Sequence, residues 1–298
     1  MKTGKQSKRG RMGYLYILPW ILGFLIFQAY PLIASFYYSF TDYAITGKPV
    51  FTGIDNYIAM FTADPLFYTS LGNTLKFVFM SLPMKIVAAL IVAVILNQKL
   101  KGINIYRTLY YIPSIFGGSV AVAILWRFLF MDSGLINYGL AVFHLPAVQW
   151  LSHPHLALFT LSLLSVWQFG SSMVIFLAAL QQVPKDLYEA ARIDGSGRLS
   201  IFFRITLPMI TPVLFFNILM QMIHAFQDFS GPFVITNGGP LHATYLTALK
   251  LYDEAFLYFK MGYASSLSWI LFVLIFIFTL MFFRLSSLAA YYEDGGKF

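Results

Sequence analysis

The chain has no cysteine, little charge, and no nucleotide-binding signature. Without a thiol there is no disulfide framework, no thiolate nucleophile and no cysteine-based metal centre. Only 11% of its 298 residues are charged, against roughly 25% in an ordinary soluble chain, and that is too few to keep a large apolar surface dispersed in water. The sequence contains no G-x-x-x-x-G-K-[ST], and its one Gly-Gly-Lys, Gly295 to Lys297, has no following helix to cradle a phosphate. The five histidines, among them His144, His153 and His155, lack the helical spacing of a metal site with a second ligand, so no metal is expected. A membrane enzyme needs His, Asp or Glu clustered at one bilayer depth, and only His224 and Asp228 approach that; no catalytic residue is expected.

What is present is apolar. Hydrophobic residues make up 59% of the chain and mean hydropathy is +0.72. A helix that crosses the hydrocarbon needs about 20 such residues. Six windows satisfy this, near Tyr14–Phe40, Thr74–Leu96, Leu109–Phe130, Leu156–Leu180, Met209–Phe229 and Tyr263–Phe283. The expected fold is all-α, a polytopic membrane protein with six transmembrane helices. A net charge of +8 would raise the question of nucleic acid in a soluble protein, but here the basic residues flank apolar runs. No nucleic-acid partner is expected.

Fourteen of the 20 Lys and Arg fall on one side of the six windows, beginning with Lys2, Lys5, Lys8, Arg9 and Arg11, whereas the opposite loops hold Lys48, Lys250 and Lys260. Basic residues are retained on the cytoplasmic face, which places both termini inside. The expected organisation is a basic N-terminus over 1–13, a six-helix membrane domain over 14–284, and a cytoplasmic tail over 285–298. The outer segments are long and rich in Gly, Pro and aromatic residues, suited to a folded rim on which something outside docks.

Between the fourth and fifth windows, Pro184 to Gly195 reads as a short capped helix. Pro184 suits a first turn, Asp186 and Glu189 favour the positive end of the helix dipole, and Gly195 suits the left-handed residue that ends it. Arg198 to Thr206 reads as a second short helix, stopped at Pro208. From the residues alone this segment is either a partner-docking element or an interfacial helix resting on lipid headgroups.

Glu189-Ala190-Ala191, three residues, Gly195, nine residues, Ile205, one residue, Leu207-Pro208 resembles the EAA loop of binding-protein-dependent ABC importer permeases at every signature position. Asn97-Gln98-Lys99-Leu100-Lys101-Gly102, Thr236-Asn237-Gly238-Gly239-Pro240 and Gly262-Tyr263-Ala264-Ser265-Ser266 extend the likeness over most of the chain, toward the maltose and glycerol-3-phosphate type of sugar permease. The resemblance implies a type I importer architecture with 183–208 as the coupling loop. Its coupling residues are Glu189, Ala190, Ala191, Asp194, Gly195, Leu207 and Pro208, with Glu189 paired to a basic residue of an ATPase cleft. It implies as partners a second homologous permease, two ATPase subunits that hold the ATP and Mg, an extracytoplasmic solute-binding protein, a sugar substrate and the lipid bilayer of the bacterial inner membrane. The chain itself is expected to bind no cofactor. The rival class is a secondary active transporter, which leaves the EAA loop without a task.

Polar groups at membrane depth require a partner or a wet cavity. Asn217, Gln221, His224 and Asp228 are spaced to share one helix face and line an aqueous path, or to hydrogen-bond between helices. Trp167, Gln168, Ser171 and Ser172 lie at a similar depth, with Trp167 and Ser171 four apart on one face. Lys85 stands about 18 Å from the inner end of its span at Asn97, too far for its stem to snorkel. It pairs with an acid, donates to carbonyls, or faces the cavity. Unpaired, it favours an acidic cargo such as a uronate-containing oligosaccharide.

Overall fold

The computed structural model describes residues 16–98 and 102–286. The basic residues ahead of Tyr16, Lys99 and Lys101, and Lys297 with the rest of the tail lie outside the described residues. The fold is helical, as expected, with one two-stranded exception. Two compact units are present, one comprising residues up to 64 together with 251–270, the other 65–250 together with the remainder.

The first unit holds helix α1 (Tyr16–Tyr38), a hairpin of β1 (Thr41–Asp42) and β2 (Val50–Phe51) paired Thr41 to Phe51, and helix α2 (Asp55–Thr62). Asn56 ties the hairpin to α2 by donating from Nδ2 to the carbonyls of Ser39 and Thr41, at 3.0 and 2.9 Å. The motif at Gly262 belongs to this unit. The Gly262 N–H donates to the Tyr43 carbonyl at 3.0 Å, and the Tyr263 hydroxyl donates to the Asp64 carboxylate.

The second unit is built around α3 (Pro65–Leu96), which packs on α7 (Pro154–Trp167), α8 (Gly170–Gln182) and α10 (Arg198–Phe226). Helix α4 (Ile103–Ile115) lies on α8, α5 (Val120–Phe130) continues to α6 (Leu135–Val142), and the 247–250 part of α11 (Thr247–Tyr252) and the 271–286 part of the last helix, α12 (Met261–Ser286), belong to this unit as well. Two apolar clusters form its core. One gathers Phe77, Val78, Leu161, Met222 and Phe226; the other gathers Ile86, Ala89, Met173, Phe176 and Ile210. Lys85 on α3 and Gln168 and Ser171 at the α7–α8 junction fall in sequence between residues of the first cluster and residues of the second.

The structure corrects three expected boundaries. The third crossing is broken: Pro113 and the Gly117-Gly118 pair end α4 at Ile115, and an apolar window starts anew at Val120 and runs to Val142. The fourth is bent by 46° between α7 and α8, so Trp167 and Ser171 do not share a helix face. The fifth begins earlier than Met209, because the Arg198–Thr206 segment does not stop at Pro208. Phe202–Thr206 forms a wide π turn, closed by the Leu207 N–H on the Phe202 carbonyl, and the helix continues through the proline. The wider turn absorbs the missing donor and the bulk of the ring. The same device occurs in α1, where a π turn over Leu25–Ala29 precedes Pro31.

Candidate substrate cavity and coupling helix

The two broken crossings meet at their breaks. Ser114, at the end of α4, donates its hydroxyl to the Gln168 carbonyl at 3.0 Å and accepts the Ser171 N–H at 3.0 Å. Gly170 makes this approach possible: a Cβ there would lie 2.4 Å from the Tyr110 carbonyl oxygen and 2.8 Å from the Ser114 hydroxyl. One serine thus satisfies backbone groups that a bent span leaves open, as non-helical backbone at membrane depth requires.

Beside this junction lies a cavity of about 440 Å³ lined by Lys85, Ser114, Gly117, Gly118, Ser165, Gln168, Ser171, Gln221, His224 and Gln227, with Asp228 to Ser230 closing one wall. The fold therefore brings Lys85, Gln168, Ser171, Gln221, His224 and Asp228 together from three helices, the α7–α8 break and the loop after α10. Three expected residues are not in the lining: Trp167, Asn217 and Ser172, the last fully buried. Trp167 pairs with Trp126 at a ring distance of 5.9 Å. Asn217 is 1% exposed, and its Oδ1 has no hydrogen-bond partner among the described residues. Asp228 is off the helix face assigned to it, because α10 ends at Phe226 and Gln227 caps it; the carboxylate accepts the Gly231 N–H instead. Lys85 and Asp228 attract one another across the cavity, yet Lys85 makes no hydrogen bond or direct ion pair among the described residues. Sequence reasoning missed Ser114, Gly117 and Gly118. The signal was Pro113 followed by Gly-Gly inside an apparent span, a pattern that breaks helices.

At the other end of the unit, α9 (Lys185–Ile193) starts one residue after Pro184, which caps it from an extended conformation instead of occupying its first turn. Its C-terminus is a Schellman motif: the Ser196 N–H donates to the Ala191 carbonyl at 2.9 Å and the Gly195 N–H to the Arg192 carbonyl at 3.0 Å, with Gly195 at φ +74°. One face of α9 turns inward. Tyr188 shares a hydrogen bond with the Thr206 hydroxyl at 3.1 Å and Ala191 is buried. Ala191 thus packs on its own bundle, and only Ala190 of the alanine pair is exposed. The opposite face presents Glu189, Ala190 and Ile193, the last 86% exposed, with Asp194 and Gly195 following; Leu207 and Pro208 are half-buried.

Residues 58–294 match the model of a family described as binding-protein-dependent transport system inner membrane component. The chain belongs to this family. It is 46% identical, over 99% of its length and 96% of the relative's, to the "Probable ABC transporter permease protein YesP" of Bacillus subtilis (strain 168). It is 35% identical, over 92% and 88%, to the arabinooligosaccharides transport system permease protein AraP of the same organism. A chain from the crystal structure of a bacterial alginate ABC transporter in complex with an alginate pentasaccharide-bound periplasmic protein superposes with a TM-score of 0.82 at 22% identity, covering 96% of this chain and 97% of that one. That likeness establishes the importer permease fold.

As an inner membrane component of this family the chain is a multi-pass transport subunit; among the described residues five helices are long and apolar enough to cross, and the bent α7–α8 pair, taken as one span, brings the number to six. The cavity lies where the crossings are broken.

Proposed function

We propose that this permease moves a sugar or oligosaccharide, received from a solute-binding protein, through the cavity beside Ser114 and into the cytoplasm, and that α9 is the handle by which a separate ATPase subunit drives it. The observation that carries the reading is the cavity itself. Its side chains from Lys85 to Asp228 include both hydrogen-bond donors and acceptors, set in a unit whose two core clusters are apolar. Sugar hydroxyls need both, and an apolar cargo would leave these groups unpaired. The relatives named for arabinooligosaccharides and alginate support the class. The broken helices support alternating access, because irregular backbone at a cavity marks the site around which such bundles rock.

On this reading both termini and α9 are cytoplasmic, and the assembly holds a second homologous permease and two ATPase subunits, where ATP and Mg reside. Glu189, exposed on α9, pairs with a basic residue of the ATPase. Changing Glu189 to Lys places like charges together, and uptake is expected to vanish while the protein still inserts. Retained uptake by Glu189→Lys, without any ATPase subunit, assigns the chain to secondary transporters.

A second reading concerns cargo charge. Lys85 faces the cavity with no direct partner, which favours a uronate-containing saccharide; Asp228 balances its charge, which favours a neutral one. Lys85→Met decides between them. Selective loss of uptake for acidic saccharides supports the first, and equal uptake of acidic saccharides by wild type and variant removes it.

A further inference from the structure

We propose that the groove on the back of α3, at the end of the bundle away from α9, is a binding site for an anionic phospholipid, with Lys76 holding the phosphate. This inference is independent of the cargo.

Position comes first. Lys76 is nine residues from Lys85, about two and a half helical turns, so it stands on the opposite side of α3 from the substrate cavity. The groove and the cavity have no lining residue in common. Lys76 is also twenty residues from Leu96, about 30 Å along the axis, which is about the thickness of the hydrocarbon core. With the α9 end of the helix at one interface, the ammonium of Lys76 lies at the phosphate level of the other.

The lining changes character along the helix at that level. Beyond Lys76, toward the start of α3, the groove is walled by Thr69 and Asn73; on the other side, toward the bilayer centre, it is walled by Phe79, Met80 and Leu158. A groove in which Thr69, Asn73, His155 and His242 stand among Pro154, Leu241 and Ala243 at one end and Phe79, Met80 and Leu158 line the other, with a cation at the crossover, matches the headgroup and first acyl carbons of a phospholipid. Its volume is about 640 Å³. His155 and His242 are the other titratable groups in the lining, which contains no Asp or Glu, so the site favours negative charge.

The wall is rigid. Asn73 donates from Nδ2 to the His242 carbonyl at 2.7 Å, fixing the Leu241–Ala243 turn against α3, and the His242 ring lies edge-on to Tyr245 at 5.5 Å. Leu241 and His242 hold left-handed conformations at φ +49° and +58°, which non-glycine residues adopt only where surrounding contacts enforce them. Leu241 is 87% exposed beside the cation. A second groove, along α5, provides an internal contrast: Leu125, Phe128 and Leu129 line it with no basic side chain, and it is expected to take acyl chains without preference for the headgroup.

The test uses the full chain, purified with the subunits that accompany it and reconstituted in nanodiscs of phosphatidylglycerol or phosphatidylcholine. Native mass spectrometry is expected to retain phosphatidylglycerol on the wild type. Lys76→Gln is expected to weaken retention about fivefold, the contribution of one lysine at a charged surface, while Lys76→Arg and Lys85→Gln retain it. A photoreactive side chain in place of Phe79 is expected to label lipid. Equal retention of the two lipids, unchanged retention by Lys76→Gln, or labelling of a protein partner from position 79 each overturns the proposal.

Discussion

At the scale of single residues, the most informative side chain is Asn217. It was expected on the cargo-facing stripe one turn from Gln221, yet it is 1% exposed with an unpartnered Oδ1. Ser81 and Ser172, on the neighbouring helices α3 and α8, have hydroxyls that are likewise buried without a partner. A buried carbonyl without a partner costs about 1–3 kcal/mol, so Asn217→Leu is expected to leave stability unchanged or raise it. If the cargo passes this level as the helices rock, the same substitution lowers uptake. Thermal unfolding and uptake measured on one preparation check the split. A fall in both, or in neither, removes Asn217 from the path.

At the scale of elements, the broken crossings matter more than the intact ones. Stacking of α4 on α8 depends on the missing Cβ of Gly170, because the Tyr110 carbonyl occupies that space. Gly170→Ala forces the two segments apart, and overpacking of this kind typically costs about 1–3 kcal/mol. A lower thermal midpoint, with the cavity residues intact in sequence, is the expected result. Helix α9 was legible because its signals are local: Asp186 in the first turn and Gly195 at the left-handed position act within a few residues. Which of its faces meets a partner was not legible. Ala190 and Ala191 are adjacent in sequence but point apart, and only the docking of Tyr188 against Thr206 decides that Ala191 is the one turned inward.

At the scale of the whole molecule, orientation is the property most directly measurable. The absence of cysteine lets single thiols report sidedness without background. Ile193→Cys is expected to react with impermeant reagents only from the cytoplasmic side, and Leu241→Cys only from the outside. Labelling of both from one side overturns the topology argued from the Lys and Arg distribution.

The sequence by itself determined that the chain is a multi-pass helical membrane protein and where the short polar helix α9 lies, because hydropathy and capping act along the chain over short distances. It did not determine how the crossings break. The expected end of a helix at Pro208 failed because a π turn absorbs a proline, whereas Gly117-Gly118 does interrupt the third crossing; whether a breaker breaks depends on what its neighbours pack against. Only the tertiary structure decided that Lys85, Gln168, Gln221 and Asp228, drawn from segments up to 143 residues apart, share one cavity. Helix rotation and bend angle follow from the packing of α3 against α7, α8 and α10, and no local periodicity encodes them.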